Sequence, residues 1–209
     1  MSRQARKTSG WQVPPPAEPV TEEYLASVTI GERTPHGDRI RLVAYDPNWP
    51  SLFALAADKV GAALGEKALL IEHVGSTAVP GLSAKPIIDM VLAVEDSADE
   101  GSYVPLLEAE RFVLRVREPD WFEHRFLVLK SGDQIWQLHV FSAGCEEVER
   151  MLAFRDWLGA HDAERRLYES VKMALAGRTW RHVQNYADAK SEIVRQILKR
   201  AGGGKADGV

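Results

Sequence analysis

The sequence has few of the features that mark exported or membrane proteins. Cys145 is its one cysteine among 209 residues, so no internal disulfide can form, and we expect a half-buried thiol with no metal role. No apolar run approaches the roughly 18 to 20 residues that a membrane span requires, and the opening MSRQARKTSGWQVPPP lacks the apolar middle of a signal peptide. We therefore expect a cytoplasmic protein with no membrane partner.

Dense basic clusters and stacking aromatics are also missing. Aromatic side chains make up 8% of the chain, and no strand of aromatics or stripe of lysine and arginine is present. We therefore do not expect a nucleic-acid partner. Residues 1–149 contain 14 basic and 23 acidic side chains, whereas residues 150–209 contain 12 basic and 7 acidic ones. The C-terminal part can thus supply cations for an anionic ligand, although surface helices are often mildly basic too.

The chain divides into one central domain and two tails. Its length and its 45% hydrophobic content suit a single core of ordinary size. Residues 1–38 have a basic start, proline and glycine segments and a brief apolar stretch, and residues 201–209 follow a glycine run. We expect both to be disordered or loosely ordered, with one turn of helix in the first, and we place the domain at residues 39–200.

Hydrophobic periodicity predicts a mixed sheet followed by helices. Strands are predicted over residues 40–45, 69–74, 86–94, 112–118, 124–130 and 136–141. Helices are predicted over residues 51–64, 104–112, 146–161, 163–176 and about 180–200. This order predicts an α+β fold, with a mixed sheet of five or a similar number of strands between residues 40 and 142 and a C-terminal helical layer.

The segment HVGSTAVPGLSAKPIIDMVLAV, residues 73–94, contains the strongest signs of chemistry. A strand that ends at Gly75 lets the backbone approach an anion closely. The Ser76 hydroxyl and the following amides, with Thr77 among them, can donate hydrogen bonds to phosphate oxygens. A purely structural turn would need the same glycine, so the pattern leaves both interpretations open.

Lys85 and Asp89 strengthen the functional interpretation of this segment. An ionised carboxylate between Ile88 and Met90 of an apolar strand needs a partner. Lys85 and Asp89 lie four residues apart, so both point to the same face of an extended strand. A buried salt bridge and a carboxylate that holds Mg²⁺ are the two alternatives.

Three cations in the C-terminal helices are also candidates. Lys190 lies within an apolar helical stripe, Arg155 lies close to another, and Lys172 forms an i,i+4 pair with Tyr168. A lysine on such a stripe must reach solvent or meet an anion. These cations either pair with acids of the sheet or face the Gly-Ser turn and bind a triphosphate or similar polyanion, with Asp156 orienting Arg155.

The histidines leave two interpretations open. His73 and His139 each lie in a predicted strand, where a histidine is either a core residue bonded to a carbonyl or a group that titrates near neutral pH or binds a metal. His124 is expected at the surface.

Six segments resemble, in order, the GrpB family over about residues 40–200: YDPNWP, EHVGSTAVPGLSAKPIIDMVLAV, LHV, AFRDWLGAH, LYESVK and a final Tyr-Ala-Asp-Ala-Lys-Ser. That family is also found as an accessory domain of some dephospho-coenzyme A kinases and is similar to polymerase-beta-type nucleotidyltransferases. The resemblance implies a nucleotidyltransferase fold. Gly75 and Ser76 would form its glycine-serine turn, and Asp89 would be its first metal-binding carboxylate.

One departure from that pattern affects the implied activity. Val91 stands where active nucleotidyltransferases place a second carboxylate, and the third acidic position corresponds to His139, with Gln137 on the same face. The resemblance implies catalytic and metal-binding roles for Asp89 and His139, with Mg²⁺ as cofactor. The implied phosphate-binding residues are Gly75, Ser76, Thr77, Lys85, Arg155, Lys172 and Lys190. Two hypotheses follow, a Mg²⁺-dependent nucleotidyltransferase and a non-catalytic nucleotide-binding or folding-accessory module.

Overall fold

A five-stranded mixed sheet forms the centre of the molecule. The computed structural model describes residues 21–31, 40–178 and 188–203. The strands are β1 (Leu70–Val74), β2 (Ile87–Val94), β3 (Val113–Glu118), β4 (His124–Ser131) and β5 (Gln134–Ser142). They lie in the order β1-β2-β5-β4-β3, with β2 and β5 parallel and the other neighbours antiparallel. The mixed α+β architecture predicted from the sequence is therefore confirmed.

Helices cover both faces of this sheet. In the described part of the chain they are α1 (Glu22–Val28), α2 (Trp49–Leu64), α3 (Val104–Ala109), α4 (Glu146–Ala160), α5 (Asp162–Ala176) and α6 (Ser191–Gly203). The helix α2 begins at Trp49 with a proline in its first turn and ends before Gly65, whose φ of 54° stops the helix. Among the described residues, no helix is long and apolar enough to cross a membrane.

The main core lies between the sheet and the pair α2 and α3. Alternate residues of β2, namely Ile88, Met90 and Leu92, are fully buried there with Trp49 and Val60 of α2. A second cluster joins α4, α5 and α6 to the loop that follows β1. The loop between β1 and β2 thus packs against the C-terminal helices. These helices leave part of the sheet face opposite α2 and α3 uncovered, and a cleft lies over that part.

The predicted strand at residues 40–45 does not form. Val43 makes one isolated antiparallel bridge to Ala84, and no ladder extends from it. Ala84 lies between the turn at Gly81, where φ is +79°, and Pro86, which has no amide hydrogen to donate. The alternating pattern indicates an extended backbone, but the segment around Ala84 cannot form a second pair of backbone hydrogen bonds with it.

Only parts of the two chain ends are among the described residues. The segment from Tyr24 to Ile30, predicted as a turn of helix in a loose tail, overlaps α1 (Glu22–Val28), and Thr29 bridges to Val116 of β3. The predicted start of the last helix near Trp180 lies outside the described residues. Within them, α6 begins at Ser191. Most of residues 1–38 and residues 204–209 also lie outside them, so the domain boundaries stay predictions.

Candidate functional site

Gly75 and Asp89 are in direct contact at the end of β1. Val74 pairs with Asp89 across β1 and β2, and Gly75 then turns with φ of 70°. A Cβ placed on Gly75 would come within 2.5 Å of Asp89 Oδ2. The sequence predicted that this glycine lets the backbone approach an anion, and the anion in contact with it is the Asp89 carboxylate itself.

Lys172 of α5 connects the helical layer to this turn. Its Nζ donates to Ser76 Oγ at 2.8 Å and to the Ser83 carbonyl at 2.6 Å, and it lies 5.2 Å from the centre of the Tyr168 ring. Lys172 is 2% exposed. Burial and the neighbouring Lys190 ammonium lower the pKa of Lys172 from 10.5 to about 7. The lysine is therefore poised to lose or regain its charge near neutral pH.

Lys85 and Lys190 complete a group of three lysines around Asp89. Burial lowers the pKa of both lysines, and for Lys85 the nearby Lys190 lowers it further. Burial raises the pKa of Asp89 to about 6, although all three lysines act to lower it. The sequence placed these residues in one site, and the structure brings them together on the wall of one cleft.

The cleft lies over the open sheet face, and side chains of α1, α5 and Lys190 also line it. It has a volume of about 440 Å³, which is within the range of pockets that hold small ligands. Its walls combine the polar groups above with apolar side chains from several elements. Its lining residues include Tyr24, Ser76, Thr77, Lys85, Asp89, Val116, Glu118, His124, Phe126, Gln137, His139, Lys172 and Lys190.

The side chain of Thr77 lines the cleft but is committed to structural bonds. Thr77 Oγ1 donates to the Ile87 carbonyl at 3.1 Å and lies 3.0 Å from His73 Nε2. His73 stacks on Phe53 of α2 at 4.9 Å. Burial and the nearby Arg155 lower the pKa of His73 to about 4, so the ring is neutral. His73 is thus a core histidine, bonded to the Thr77 hydroxyl and not to a backbone carbonyl, and this hydroxyl is already engaged.

Arg155 does not line the cleft. Its Nη1 donates to Glu72 Oε2 and to the His73 carbonyl, both at 2.8 Å, and its Nε donates to Asp156 Oδ1 at 2.8 Å. Of the two alternatives raised by the sequence, pairing with acids of the sheet is the one found, and Asp156 orients the guanidinium as expected. A phosphate ligand would have to displace one of these three acceptors from the Arg155 guanidinium.

Asp89 and His139 lie on the same sheet face but are not direct neighbours. In the parallel pair, Asp89 pairs with Gln137, and His139 pairs with Val91, two residues further along. Val91 is fully buried and packs with Phe141 and Val148 of α4. The position of the expected second carboxylate is therefore filled by an apolar contact between the sheet and α4.

This arrangement is a poor fit for a resident Mg²⁺. No group of three His, Cys, Asp or Glu side chains among the described residues can hold a metal ion. Mg²⁺ prefers an octahedron of oxygens, whereas Asp89 offers one carboxylate surrounded by three lysines whose charges repel a dication. His139 has one ring nitrogen engaged by another histidine. The chain's own residues supply cations where a metal would be needed.

A hydrogen-bonded chain at the other end of the cleft was missed by the sequence reasoning. His124, expected at the surface, is 4% exposed. Its Nδ1 lies 2.7 Å from Glu118 Oε2, and its Nε2 lies 3.1 Å from His139 Nδ1. Tyr24 donates to the other oxygen of Glu118 at 2.7 Å. Glu118 and His124 face each other across the β3–β4 hairpin, a register that the strand patterns alone did not show.

Comparisons with known proteins agree on one family. A family model described as "GrpB protein" matches residues 39–200. A UPF0157 protein of Halalkalibacterium halodurans is 57% identical over 183 residues, which cover 88% of this chain and 93% of that protein. A protein of Mycolicibacterium paratuberculosis named "Dephospho-CoA kinase" is 30% identical over 186 residues, 78% of this chain but 46% of that protein.

One solved structure is similar over most of the chain. It is the crystal structure of the conserved protein GrpB from Enterococcus faecalis, with a TM-score of 0.66 and 30% sequence identity. The match covers 78% of this chain and 98% of that one.

Proposed function

The chain belongs to the GrpB family, and from this premise we propose that its cleft binds a nucleoside triphosphate or a similar polyphosphate. Ser76 and the lysines at positions 85, 172 and 190 are the binding residues. The polymerase-beta-like fold that the family resemblance implies is part of this proposal. In that fold the glycine-serine turn meets the phosphates, which agrees with the position of Ser76 on the cleft wall.

The observation that carries this proposal is the convergence of three lysines from three separate segments. Lys85 precedes β2, Lys172 belongs to α5 and Lys190 precedes α6, yet each affects the charge of Asp89. Collecting like charges with little access to water costs free energy, which the lowered pKa of Lys172 reflects. A polyanion between them removes that cost, because it stabilises the charged form of every lysine.

Ser76 and Asp89 fit the same ligand. Ser76 Oγ accepts from Lys172 and is also hydrogen-bonded to Tyr168, so a phosphate oxygen would compete with Tyr168 for this hydroxyl. The pKa of Asp89, raised by burial to about 6, lets this carboxyl take up a proton when an anion binds beside it. The cleft volume of about 440 Å³ leaves room beyond the phosphates for a nucleoside against Phe126 and Val116.

Binding without nucleotidyl transfer is the form of the proposal that we favour. In-line transfer is best served by two metals that clamp the attacking and leaving oxygens. Val91 is buried where a second metal-binding carboxylate would stand, and Asp89 is held among lysines. These residues favour a nucleotide-binding module over a Mg²⁺-dependent transferase.

The name of one relative extends the range of ligands to test. Because a protein named dephospho-CoA kinase contains a segment 30% identical to this chain, dephospho-CoA belongs in the same panel as the four nucleoside triphosphates. A folding-accessory role beside such a kinase is compatible with a site that binds a nucleotide and does not turn it over.

Thermal unfolding with and without ligand tests the proposal. A ligand that binds only the folded state stabilises it by about 2.7 kcal/mol at a concentration of 100 times Kd. We expect ATP, CTP, GTP or UTP to raise Tm both with Mg²⁺ and with a chelator in its place. Ser76→Ala and Lys190→Ala should reduce the shift, and Lys59→Ala, which removes a surface lysine paired with Glu110, should not.

Two outcomes would count against this function. No shift with any nucleotide, with dephospho-CoA or with tripolyphosphate at millimolar concentration would remove the binding claim. Pyrophosphate release that is fast in the wild type and abolished by Asp89→Asn would instead establish transfer chemistry at this site.

A further inference from the structure

Residues 21–31 lie along the outer strand of the sheet and are called the N-terminal strap below. That outer strand is β3. Near the start of α1, Tyr24 donates to Glu118 Oε1 at 2.7 Å, and just after α1, Thr29 forms an antiparallel bridge to Val116. The strap therefore runs antiparallel to β3 and is attached to it at both ends.

A bulge in β3 provides a further attachment. The pairing of β3 with β4 shifts register between Leu114 and Val116, which leaves Arg115 as the extra residue of the bulge. The Arg115 carbonyl accepts from the Ile30 amide at 2.8 Å. The strap thus covers part of the open edge of the sheet, where unpaired backbone groups would otherwise face solvent.

The strap presents an apolar face to the cleft. Leu25 and Val28, one helical turn apart, line the cleft together with Val116 and Phe126 of the sheet. Val28 is buried and Leu25 is half-buried. Since α1 has 7 residues, too few for a stable isolated helix, its position depends on its contacts with the sheet. These four side chains define an apolar slot at one end of the cleft.

The apolar slot lies away from the lysines. Lys85 precedes β2 and Asp89 lies in it, and the order β2-β5-β4-β3 places β3 about 14 Å from β2 across the sheet. A triphosphate held by the lysines ends short of the strap, whereas a sugar and base joined to that triphosphate extend towards the slot. The cleft therefore suits a long ligand with a charged end and a ring at its other end.

We propose that the apolar slot binds the ring of an organic phosphate ester, so that the cleft prefers nucleoside triphosphates to inorganic polyphosphate. Leu25 determines this preference, because its side chain faces the slot and is less enclosed than that of Val28. The strap precedes residues 39–200, which the family model matches, so a segment outside the shared domain selects the ligand. This inference rests on the proposed function, which supplies the phosphate end of the site.

Calorimetry with the four nucleoside triphosphates and with tripolyphosphate, all in the presence of a chelator, tests the preference. Tripolyphosphate has the greater charge, so a preference for a nucleotide cannot come from the lysines. We expect at least one nucleotide to bind the wild type about tenfold more tightly than tripolyphosphate does. Leu25→Ala shortens the side chain to a methyl group, and it should weaken that nucleotide about tenfold while tripolyphosphate changes less than about twofold.

Two matched variants separate a contact at the slot from a general loosening of the strap. Leu25→Met keeps an apolar side chain of similar volume and should retain affinity for the nucleotide within about threefold. Glu23→Ala changes an exposed side chain on the same helix, outside the cleft lining, and should leave both affinities unchanged. A loss in Glu23→Ala equal to that in Leu25→Ala would contradict the contact.

The failure of this inference can be told apart from failure of the proposed function. If nucleotides and tripolyphosphate bound the wild type equally well, or if Leu25→Ala weakened both equally or neither, the phosphate site would stand and the slot would be wrong. If none of these probes bound, the proposed function would fail, and the slot with it. Hydrogen exchange gives a second measurement, since the Ile30 amide should exchange more slowly with the bound nucleotide than with bound tripolyphosphate. Equal exchange with both ligands would place the ring elsewhere.

Discussion

The affinity of the cleft for a polyphosphate should fall steeply as pH rises from 7 to 9, because Lys172 loses its charge in this range. Its pKa in the ligand-free protein is about 7. The sign follows from linkage, since a bound anion favours the protonated lysine and binding therefore takes up protons. The phosphates of ATP are almost fully ionised across this range, as a phosphate ester loses its second proton near about pH 6.

The magnitude can be worked out from that pKa alone. About half of Lys172 is charged at pH 7 and about 1% at pH 9, so the affinity should fall about 50-fold, or about 2.3 kcal/mol, if the complex keeps the proton. Lys85 and Lys190, whose pKa values burial also lowers, would steepen the dependence. We therefore treat 50-fold as the contribution of one lysine.

Calorimetric titration of ATP at pH 7, 8 and 9 measures this dependence. Lys172→Arg is the informative variant, because a guanidinium stays charged throughout and should flatten the profile. Lys59→Arg, on the surface beside Glu110, should leave the wild-type profile unchanged. A flat wild-type profile, or an equally steep one in Lys172→Arg, would refute the role given to Lys172.

Two predictions concern how the site is built. Gly75→Ala should destabilise the protein by about 3–5 kcal/mol in urea unfolding, because the new methyl group clashes with Asp89 and strains the backbone. Gly65→Ala is the control, since Gly65 has a similar φ but a Cβ there would meet nothing within 4 Å, and it should cost about 1–2 kcal/mol. Equal costs, or no partial rescue of Gly75→Ala by Asp89→Ala, would contradict the contact. Val91→Asp should cost at least about 3 kcal/mol by burying a charge, and Val113→Asp, at a valine 49% exposed, less than about 1 kcal/mol. A stable Val91→Asp protein with new transfer activity would show that this position can still serve as a metal ligand.

The sheet and the helices were largely predictable from sequence, because their buried faces leave regular apolar patterns. The apolar run over residues 86–94 identified β2, which is buried on both faces, and the even spacing of Lys85 and Asp89 put them on one side. The strand predicted over residues 40–45 was wrong because pairing depends on the partner, and Ala84 is followed too closely by Pro86. The local hydrophobic pattern shows that a segment is extended, but it does not show which strand pairs with that segment.

Site residues were predictable from sequence where a charged residue lies among apolar neighbours in its own helix or strand. Lys190 within an apolar stripe and Asp89 within an apolar strand each needed a partner of opposite charge, and both lie at the cleft. The Glu118–His124 pair was not found, because it depends on the register of the β3–β4 hairpin. Arg155 was equally ambiguous, since Glu72 reaches it from a strand 83 positions away.

The most direct test of the central claim is a crystal structure of the full chain with ATP, grown in the presence of a chelator. The account predicts phosphate oxygens within hydrogen-bonding distance of Ser76 Oγ and Lys172 Nζ, with Lys85 and Lys190 beside them and no metal ion on Asp89. Phosphates bound away from these residues, or bound here only when Mg²⁺ is supplied and coordinated by Asp89, would contradict it.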